Sequence, residues 1–256
     1  MSSPAQPGNG ALSWLTARPI AHRGLHDADA GIIENTAAAV SAAISANYAV
    51  EVDLRLSADG DAMVFHDFTL DRLTEAHGPL AARTADALRQ IPFRGADARI
   101  MSLGELTALV AGRTPLILEI KSQWDNVGPL EQRVVQLLRN YDGPVAVMSF
   151  DPASLAVFRN IAPNVMRGIV SERFRDKDYW SNLSAWRRFT LRHMLHAAAT
   201  APHFIAYDIN GLPSAAPLLA RYLFGVPLLT WTVRTPSQRR RARLFADAMI
   251  FEGFRP

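Results

Sequence analysis

The chain has 256 residues, of which 49% are hydrophobic and 20% are charged, so it can bury a sizeable core and is not a disordered chain. It contains no cysteine, which excludes disulfides and thiolate metal sites and leaves oxygen or imidazole as metal ligands. The formal charge of +3 is small, and without a basic stripe or binding motif it does not support a nucleic-acid partner.

Residues 1–18 are predicted to form an N-terminal tail, because proline and glycine are frequent in the first ten residues and order is expected to begin near Leu12. Residues 19–256 are predicted to form one catalytic domain. We find no secretory signal pattern and no run of about 18 apolar residues, so we expect a soluble, cytoplasmic protein. The sequence leaves the oligomeric state open.

Short apolar runs alternate with helical patterns along the rest of the chain, which predicts a parallel sheet covered by helices. The predicted strands are Pro19–His22, Ala49–Leu54, Ala62–His66, Pro115–Lys121, Pro144–Phe150, Met166–Val170, His203–Ile209, Val226–Val233 and Ala248–Phe251. Helix candidates include Thr36–Asn47, Leu103–Ala111, Leu130–Arg139, Pro152–Asn160 and Pro236–Phe245. The last begins with a capping-box pattern formed by Thr235 and Gln238.

Nine strands are one too many for an eight-stranded barrel, a fold that usually takes about 250 residues. Ala62–His66 is predicted to be the extra strand, because the short spacer before it contains Asp59-Gly60 and favours a hairpin over a helical crossover. The expected fold is therefore an α/β protein, a (β/α)8 TIM barrel with a small insertion after the second barrel strand. Residues 67–102 are interpreted as that insertion, lying over the active face.

Ser171–Pro202 is a second excursion from the strand and helix pattern, and it carries Trp180, Trp186 and Phe189 beside several arginines. An ordinary amphipathic helix packed on the barrel would explain this composition. A peripheral membrane contact through residues 180–196 would explain it too, because aromatic and basic side chains together are typical of interfacial helices. Both interpretations stay open at the level of the sequence.

The first candidate for chemistry is His22-Arg23-Gly24, which ends the first predicted strand. The carboxyl ends of the strands form the active face of a parallel barrel, so a histidine and an arginine there are functional candidates. A histidine with a purely structural role would fit this short motif as well.

Glu51 and Asp53 lie two residues apart on the second predicted strand and therefore share one face. Helices would cover the outside of the barrel, so both carboxylates are expected to point inward, where two negative charges need a compensating cation. A hard divalent ion would supply it, and oxygen ligands favour magnesium, calcium or manganese. An internal salt bridge to arginine is the alternative.

Two further motifs are expected to lie near these carboxylates. If the predicted hairpin folds beside the second strand, His66 comes close to Glu51 and Asp53. On the fourth predicted strand, the same alternation puts Glu119 and Lys121 on one inward face. Glu119 could there be a third metal ligand, and Lys121 could contact a phosphate.

Taken in order, these motifs resemble the glycerophosphodiester phosphodiesterase family over residues 19–254. The matching residues are His22-Arg23-Gly24, Glu34-Asn35-Thr36, Glu51 with Asp53, Asp59-Gly60, His66-Asp67, Leu70 with Arg72 and Thr74, Leu118-Glu119-Ile120-Lys121, Ser149-Phe150 and Trp231-Thr232-Val233.

The resemblance implies a metal-dependent phosphodiesterase that releases glycerol 3-phosphate and an alcohol, and it gives each matching residue a role. It implies that His22 and His66 are the general acid and base. It implies that Glu51, Asp53 and Glu119 bind one divalent cation, Mg²⁺ or Ca²⁺, with Mn²⁺ as a third option. It further implies that Arg23 and Lys121 contact the phosphate, that Trp231 contacts the substrate, and that Glu34 and Asn35 lie beside the site as auxiliary residues.

The chain departs from the family pattern at Ile33, where a proline is usual, and at two places closer to the expected substrate. Arg234 stands where asparagine often follows Trp-Thr-Val, and Glu252 lies where the last strand usually ends in Thr-Asp. These departures leave the alcohol open, so two alternatives remain. One is a lysophospholipase D-like enzyme acting on lipid headgroups, and the other is a barrel that binds phosphodiesters without catalysis.

Overall fold

The computed structural model of the chain describes residues 12–122, 124, 126–176 and 178–256. Its strands are β1 (Ile20–Ala21), β2 (Ala49–Leu56), β3 (Ala62–Val64), β4 (Leu116–Ile120), β5 (Val145–Ser149), β6 (Met166–Ser171), β7 (Phe204–Asp208), β8 (Leu228–Val233) and β9 (Ala248–Phe251). All but β3 pair in parallel in the order β1-β2-β4-β5-β6-β7-β8-β9, and β9 pairs back to β1. The predicted eight-stranded barrel is confirmed.

The extra strand is the predicted one, because β3 pairs antiparallel with the end of β2 and Leu54 lies opposite Val64. The hairpin prolongs β2 beyond the barrel rim. It carries the chain to His66 at the carboxyl end of the strands.

Ten helices are described, and most of them cover the outside of the barrel. They are α1 (Ser13–Thr16), α2 (Ala37–Ser45), α3 (Ala85–Arg89), α4 (Leu103–Val110), α5 (Pro129–Leu138), α6 (Pro152–Ile161), α7 (Ala185–Arg192), α8 (Ala197–Thr200), α9 (Ala215–Phe224) and α10 (Pro236–Phe245). Side-chain caps fix several of their starts, and the capping box expected at Thr235 and Gln238 is present in α10.

Alternation along the strands creates two hydrophobic layers. Val52 and Leu54 point outward and pack with the covering helices, whereas Ile20 and Ile117 belong to a separate cluster inside the barrel. The inner cluster also contains Leu15 of α1, which is only 1% exposed.

The N-terminal tail predicted for residues 1–18 lies partly outside the described residues, which begin at Leu12. In its described part, Ser13–Thr16 forms the short helix α1, which the sequence analysis did not predict. The burial of Leu15 accounts for this helix, because its side chain joins the cluster inside the barrel.

Residues 67–102, interpreted as an insertion, contain the helix α3 and a hydrophobic cluster of their own. Leu70, Leu80, Leu88 and Phe93 are buried there. Thr84 caps α3 by accepting a hydrogen bond from the backbone of Ala87. Five helical residues are too few for a recognisable period, which is why the sequence showed no regular element here.

The excursion after β6 contains α7, whose Leu191 is buried while Trp186 and Phe189 are 70% and 46% exposed. The two exposed rings stack on each other, with centroids 5.5 Å apart. The helix is thus amphipathic, but its aromatic side chains do not pack on the barrel. Among the described residues, no helix is long and apolar enough to cross a membrane.

Candidate active site

His22 follows directly after β1 and is buried at the carboxyl end of the barrel. Its Nδ1 forms a short hydrogen bond with the Glu252 carboxylate, and its Nε2 lies 3.9 Å from Oε2 of Glu51. Burial lowers the pKa of His22 and so favours the neutral imidazole.

The turn after His22 depends on glycine at position 24. Gly24 has a φ of +78°, and an added Cβ would lie 2.8 Å from the backbone carbon of Ala39 in α2. This close approach of loop and helix fixes Arg23, whose backbone N–H donates a 2.9 Å hydrogen bond to Oε2 of Glu51.

Glu51, Asp53 and Glu119 form a buried carboxylate cluster, as their strand positions predicted. Asp53 on β2 lies beside Glu119 on β4, and one oxygen from each of the three side chains lies within 4.8 Å of the others. The three residues are 0%, 0% and 7% exposed.

Two basic side chains partly neutralise this cluster. Nζ of Lys121 lies 2.9 Å from Asp53 and 2.6 Å from Glu119, and Nε of Arg23 lies 3.2 Å from Asp53. The salt bridge considered as an alternative to a metal is therefore present at Asp53. Three carboxylates face two bases, however, so one negative charge is left over.

The uncompensated negative charge affects the ionisation of Glu51. Burial, reinforced by the nearby Asp53 and Glu119, raises the pKa of Glu51 well above its ordinary range. Burial acts on Asp53 in the same direction, but the combined effect of Lys121, Arg23 and the two histidines outweighs it and holds the pKa of Asp53 low.

These residues fit a divalent cation. Oε1 of Glu51 is a buried oxygen without a hydrogen-bond partner, which costs free energy unless a ligand satisfies it. The cluster offers only oxygen atoms, the ligands that Mg²⁺, Ca²⁺ and Mn²⁺ prefer. Glu51, Asp53 and Glu119 could therefore hold such an ion.

His66 is held in place by a chain of charged side chains. Its Nδ1 lies 2.6 Å from Asp67, which accepts a 2.5 Å hydrogen bond from Nε of Arg72. Arg72 also donates to Glu34 at 2.7 Å, and Glu34 accepts a 2.7 Å bond from Arg23. Glu34 thus joins the loops that carry the two histidines.

Asn35 is 1% exposed and bonds Asp53 from two directions. Its Nδ2 donates to Oδ2 of Asp53 at 2.9 Å, and its Oδ1 accepts from the Asp53 backbone N–H at 3.2 Å. The side chain therefore fixes the orientation of one carboxylate of the cluster.

Sequence analysis missed the relationship between Arg234 and Glu252. Nε of Arg234 donates a 2.6 Å hydrogen bond to Oε1 of Glu252, while the other carboxylate oxygen contacts His22 and lies 3.4 Å from Nε2 of His26. Burial opposes ionisation of Glu252, but its hydrogen bond with His22 and the nearby His26 and Arg234 together prevail and lower its pKa strongly. Both residues follow the ends of the paired strands β8 and β9, a signal that could have brought them together.

A single cavity of about 410 Å³ joins most of the predicted site residues. Its walls include His22, Arg23, His66, Glu119, Lys121 and Trp231. Glu51 and Asp53 contact these walls from behind, and Glu34 and Asn35 support Arg23 and Asp53.

Trp231 lines the cavity and also packs on residues of the barrel. Its ring meets that of Phe150 edge to face at 5.5 Å, and its Nε1 donates to the carbonyl of Ala206 at 3.1 Å.

Comparison with known protein families gives a match over nearly the whole barrel. The model of the glycerophosphoryl diester phosphodiesterase family matches residues 22–252. A glycerophosphodiester phosphodiesterase from Caldanaerobacter subterraneus is 29% identical over 59% of this chain and 65% of its own length. The chain thus spans slightly less than two thirds of that curated relative. Glycerophosphodiester phosphodiesterase 1 from Bos taurus is 43% identical, but over only 33% of this chain and 26% of its own length.

Solved structures share the fold. A phosphodiesterase from Oleispira antarctica, in complex with the product sn-glycerol-3-phosphate, superposes with a TM-score of 0.75 at 21% identity and covers 91% of this chain and 92% of its own. A glycerophosphodiester phosphodiesterase from Agrobacterium tumefaciens superposes with a TM-score of 0.69 at 21% identity, covering 91% and 95%.

Proposed function

Because the chain belongs to the glycerophosphoryl diester phosphodiesterase family, we propose that it hydrolyses glycerophosphodiesters to glycerol 3-phosphate and an alcohol. One observation carries the proposal. His22 and His66 open into the same cavity as Arg23, Lys121 and the carboxylate cluster. The product named for the Oleispira antarctica structure supports the same substrate class.

The first requirement of this reaction is to neutralise the charge of the phosphate. Arg23 and Lys121 line the cavity and are fixed by Asp53, so their positive charges are preorganised for a phosphoryl group. A divalent cation held by Glu51, Asp53 and Glu119 would supply further positive charge and act as a Lewis acid.

The second requirement is proton transfer in two directions. His22 and His66 each have Nδ1 engaged by a carboxylate, Glu252 in one case and Asp67 in the other, which fixes the ring and leaves Nε2 for exchange with substrate. Because burial lowers the pKa of His22, we assign the role of base to His22 and that of acid to His66.

We propose that the glycerol 2-hydroxyl is the nucleophile, because an internal hydroxyl has a large effective concentration. His22 would take its proton, and His66 would protonate the leaving oxygen as a cyclic phosphate forms. In a second step water would open the cyclic phosphate to glycerol 3-phosphate, with His66 taking the proton of the water and His22 returning its proton to the glycerol 2-oxygen. Phosphorus NMR during a single turnover tests this route. A transient five-membered cyclic phosphate is expected, whereas its absence together with oxygen-18 from solvent in the first-formed product would favour direct attack by water.

The overall activity can be tested directly with purified protein. Glycerol 3-phosphate release from several glycerophosphodiesters should be measured with and without a chelator, and with Mg²⁺, Ca²⁺ or Mn²⁺ restored. We expect turnover that the chelator abolishes and an ion restores. Metal-dependent binding without any product would instead identify a non-catalytic phosphodiester-binding barrel.

A second candidate function, cleavage of lysophospholipid headgroups, is favoured by the exposed rings of Trp186 and Phe189 on α7. Trp124 and Trp180 lie edge to face at 6.3 Å nearby, and Arg187 lies over the ring of Trp124. The exposed pair of Trp186 and Phe189 suits a membrane interface, whereas Trp180 is buried beneath it. Turnover of lysophosphatidylcholine in liposomes that exceeds that of glycerophosphocholine, and that falls in Trp186→Ala, would identify this function.

A further inference from the structure

A second cavity, of about 520 Å³, adjoins the cavity of the candidate active site. Its walls include His26, Asp27, Asp29 and Glu252. His22 lines the active-site cavity and Glu252 lines the second one, so the contact between their side chains separates the two. Asp27 and Asp29 are exposed, and their negative charges attract cations to the second cavity.

Two imidazoles and one carboxylate meet at the wall between the cavities. One ligand atom from each of His22, His26 and Glu252 lies within 4.8 Å of the others. The three side chains are 10%, 21% and 18% exposed, so they are shielded from water but can be reached from it. Among the described residues, the carboxylate cluster is the only other group of three such side chains with this spacing.

The spacing of these atoms suits a tetrahedral ion. Ligand atoms about 2.0–2.1 Å from a tetrahedral zinc ion lie roughly 3.3 Å from each other. Nε2 of His26 lies 3.4 Å from Oε2 of Glu252, close to that separation. Nδ1 of His22 is closer to the same oxygen because the two atoms are hydrogen-bonded, so an ion would take the place of the hydrogen between them.

The bonding of these residues leaves room for such an ion. Nε2 of His26 is buried and has no hydrogen-bond partner among the described residues, which costs free energy unless a ligand satisfies it. Oε1 of Glu252 accepts the hydrogen bond of Arg234, whereas Oε2 faces both histidines. The carboxylate is thus oriented by Arg234 with one oxygen directed at the two imidazoles.

Backbone contacts on both sides fix the position of His26. The N–H of Leu25 donates a 2.9 Å hydrogen bond to the carbonyl of Ala39 in α2. Asp27 and Ile32 exchange two backbone hydrogen bonds of 2.9 Å each. The loop is therefore held without help from the His26 side chain, which makes the imidazole preorganised for a ligand and replaceable without loss of the loop.

The ligand types distinguish this group from the carboxylate cluster. Imidazole suits Zn²⁺, Cu²⁺ and Ni²⁺, whereas Mg²⁺ and Ca²⁺ prefer oxygen ligands alone. Two histidines and one glutamate with an open fourth position are a ligand set that zinc accepts. The chain contains no cysteine, so thiolates do not compete for zinc elsewhere in it.

We propose that His22, His26 and Glu252 form a second metal site, which binds Zn²⁺ or a divalent ion of the same ligand preference. Water from the second cavity would complete the coordination. The site is argued from its own geometry and does not depend on the proposed function, whereas its effect on turnover rests on that function.

Zinc at this site should prevent His22 from acting as a base. An imidazole that binds a metal through Nδ1 carries its hydrogen on Nε2. The hydrogen that Nδ1 shares with Glu252 is therefore transferred through water to Nε2, and the ring stays neutral. Nε2 then has no lone pair with which to take a proton from the substrate. The second site is thus inhibitory, in contrast to the carboxylate cluster.

Calorimetric titration of the purified protein with Zn²⁺ in excess Mg²⁺ tests the site without any need for activity. His26→Gln should bind Zn²⁺ at this site about tenfold or more weakly than the wild type, because losing a ligand should cost at least as much as losing a residue that only orients one. Glu252→Gln should weaken binding as well. His77→Gln is the matched control, since it removes an imidazole that is 74% exposed and lies outside both cavities, and it should bind Zn²⁺ like the wild type.

The kinetic test measures glycerol 3-phosphate release while Zn²⁺ is added at saturating Mg²⁺. Zinc should lower kcat of the wild type with little change in KM, because it disables the base without occupying the substrate cavity. His26→Gln should keep wild-type turnover in the absence of zinc and should need about tenfold or more Zn²⁺ for half inhibition. His77→Gln should be inhibited like the wild type.

The outcomes separate this site from the proposed function. Equal zinc binding by the wild type, His26→Gln and Glu252→Gln would overturn the second site. Inhibition that excess Mg²⁺ relieves, and that His26→Gln leaves unchanged, would assign the effect of zinc to the carboxylate cluster and would also overturn it. Absence of turnover with every glycerophosphodiester would overturn the proposed function alone, and the calorimetric comparison would still decide whether the second site exists.

Discussion

The buried carboxylate cluster should make the stability of the protein depend on a divalent cation, and Glu51→Gln isolates this effect. Glu51 is completely buried, its Oε1 has no hydrogen-bond partner, and its pKa is raised by burial. Glutamine keeps an oxygen that can accept from the Arg23 backbone, so the substitution removes the charge with little change in shape.

The size of the effect follows from the geometry of the cluster. Two unit charges 4.8 Å apart repel by about 3 kcal/mol at an effective dielectric constant of 20, and Lys121 and Arg23 offset only part of this. An ion present at about 100 times its Kd adds about 2.7 kcal/mol, or about 5–10 °C in Tm for a chain of this size. Without metal, Glu51→Gln should raise Tm by about 2–4 °C.

The pH dependence gives a second signature. A carboxyl group whose pKa is raised in the folded state contributes stability below the unfolded value, near 4.5 for Glu51, and loses it as the pH rises through the folded value. The Tm advantage of Glu51→Gln over the metal-free wild type should therefore grow as the pH rises above about 4.5.

The assay is thermal unfolding with chelator or with added Mg²⁺, Ca²⁺ or Mn²⁺. The wild type should be stabilised by at least one ion, and Glu51→Gln should respond much less. Asp97→Asn, which removes a fully exposed carboxylate, is the control and should respond like the wild type. An ion-induced shift of equal size in Glu51→Gln, or a lower Tm of the metal-free variant, would refute the reasoning.

Three further predictions concern histidines and their partners. His22→Ala and His66→Ala should each lower turnover by about 10²–10⁴-fold with Tm near the wild-type value, because each removes a proton-transfer group, and near-normal glycerol 3-phosphate release would remove that residue from the mechanism. Glu252→Gln should lower kcat more than it raises KM, because it weakens the hydrogen bond that orients His22. Glu252→Asp, which keeps the carboxylate, should lower kcat less than Glu252→Gln. A change in KM alone would contradict an orienting role. Burial lowers the pKa of His196 to about 4, so its contribution to stability is present above about pH 6.5 and is lost as the pH falls through 4. Between pH 7 and 4 the wild type should therefore lose about 3 kcal/mol more unfolding free energy than His196→Leu, and parallel denaturation curves would contradict this.

Much of the fold could be predicted from the sequence because strand alternation is a local signal. The two-residue spacing of Glu51 and Asp53 gave their shared inward face, and Asp59-Gly60 gave the hairpin that reduces nine strands to eight. Features held by distant contacts were missed. The helix α1 exists because Leu15 packs inside the barrel, and α3 is too short to show a helical period.

The same distinction between local signals and distant contacts decides which residues of the candidate site could be predicted. Its main residues lie in short motifs at strand ends, and the barrel brings such ends together whatever the separation along the chain. The partners that orient them are harder to find. Glu34 supports both Arg23 and Arg72, the second of them 38 positions further along the chain, and Glu252 contacts His22 across 230 positions. Side-chain direction decides these pairs, and the sequence pattern does not give it.

The two departures from the family pattern near the cavity are explained together. Glu252 alone would be a poorly compensated carboxylate beside His22, and Arg234 alone would bring a positive charge to a wall that already carries Arg23 and Lys121. Bonded at 2.6 Å, they neutralise each other and leave one oxygen of Glu252 directed at Nδ1 of His22. Because Arg234 acts on His22 through Glu252, replacing Arg234 should change kcat/KM much less once Glu252 has been replaced, and a double-mutant cycle would measure this coupling.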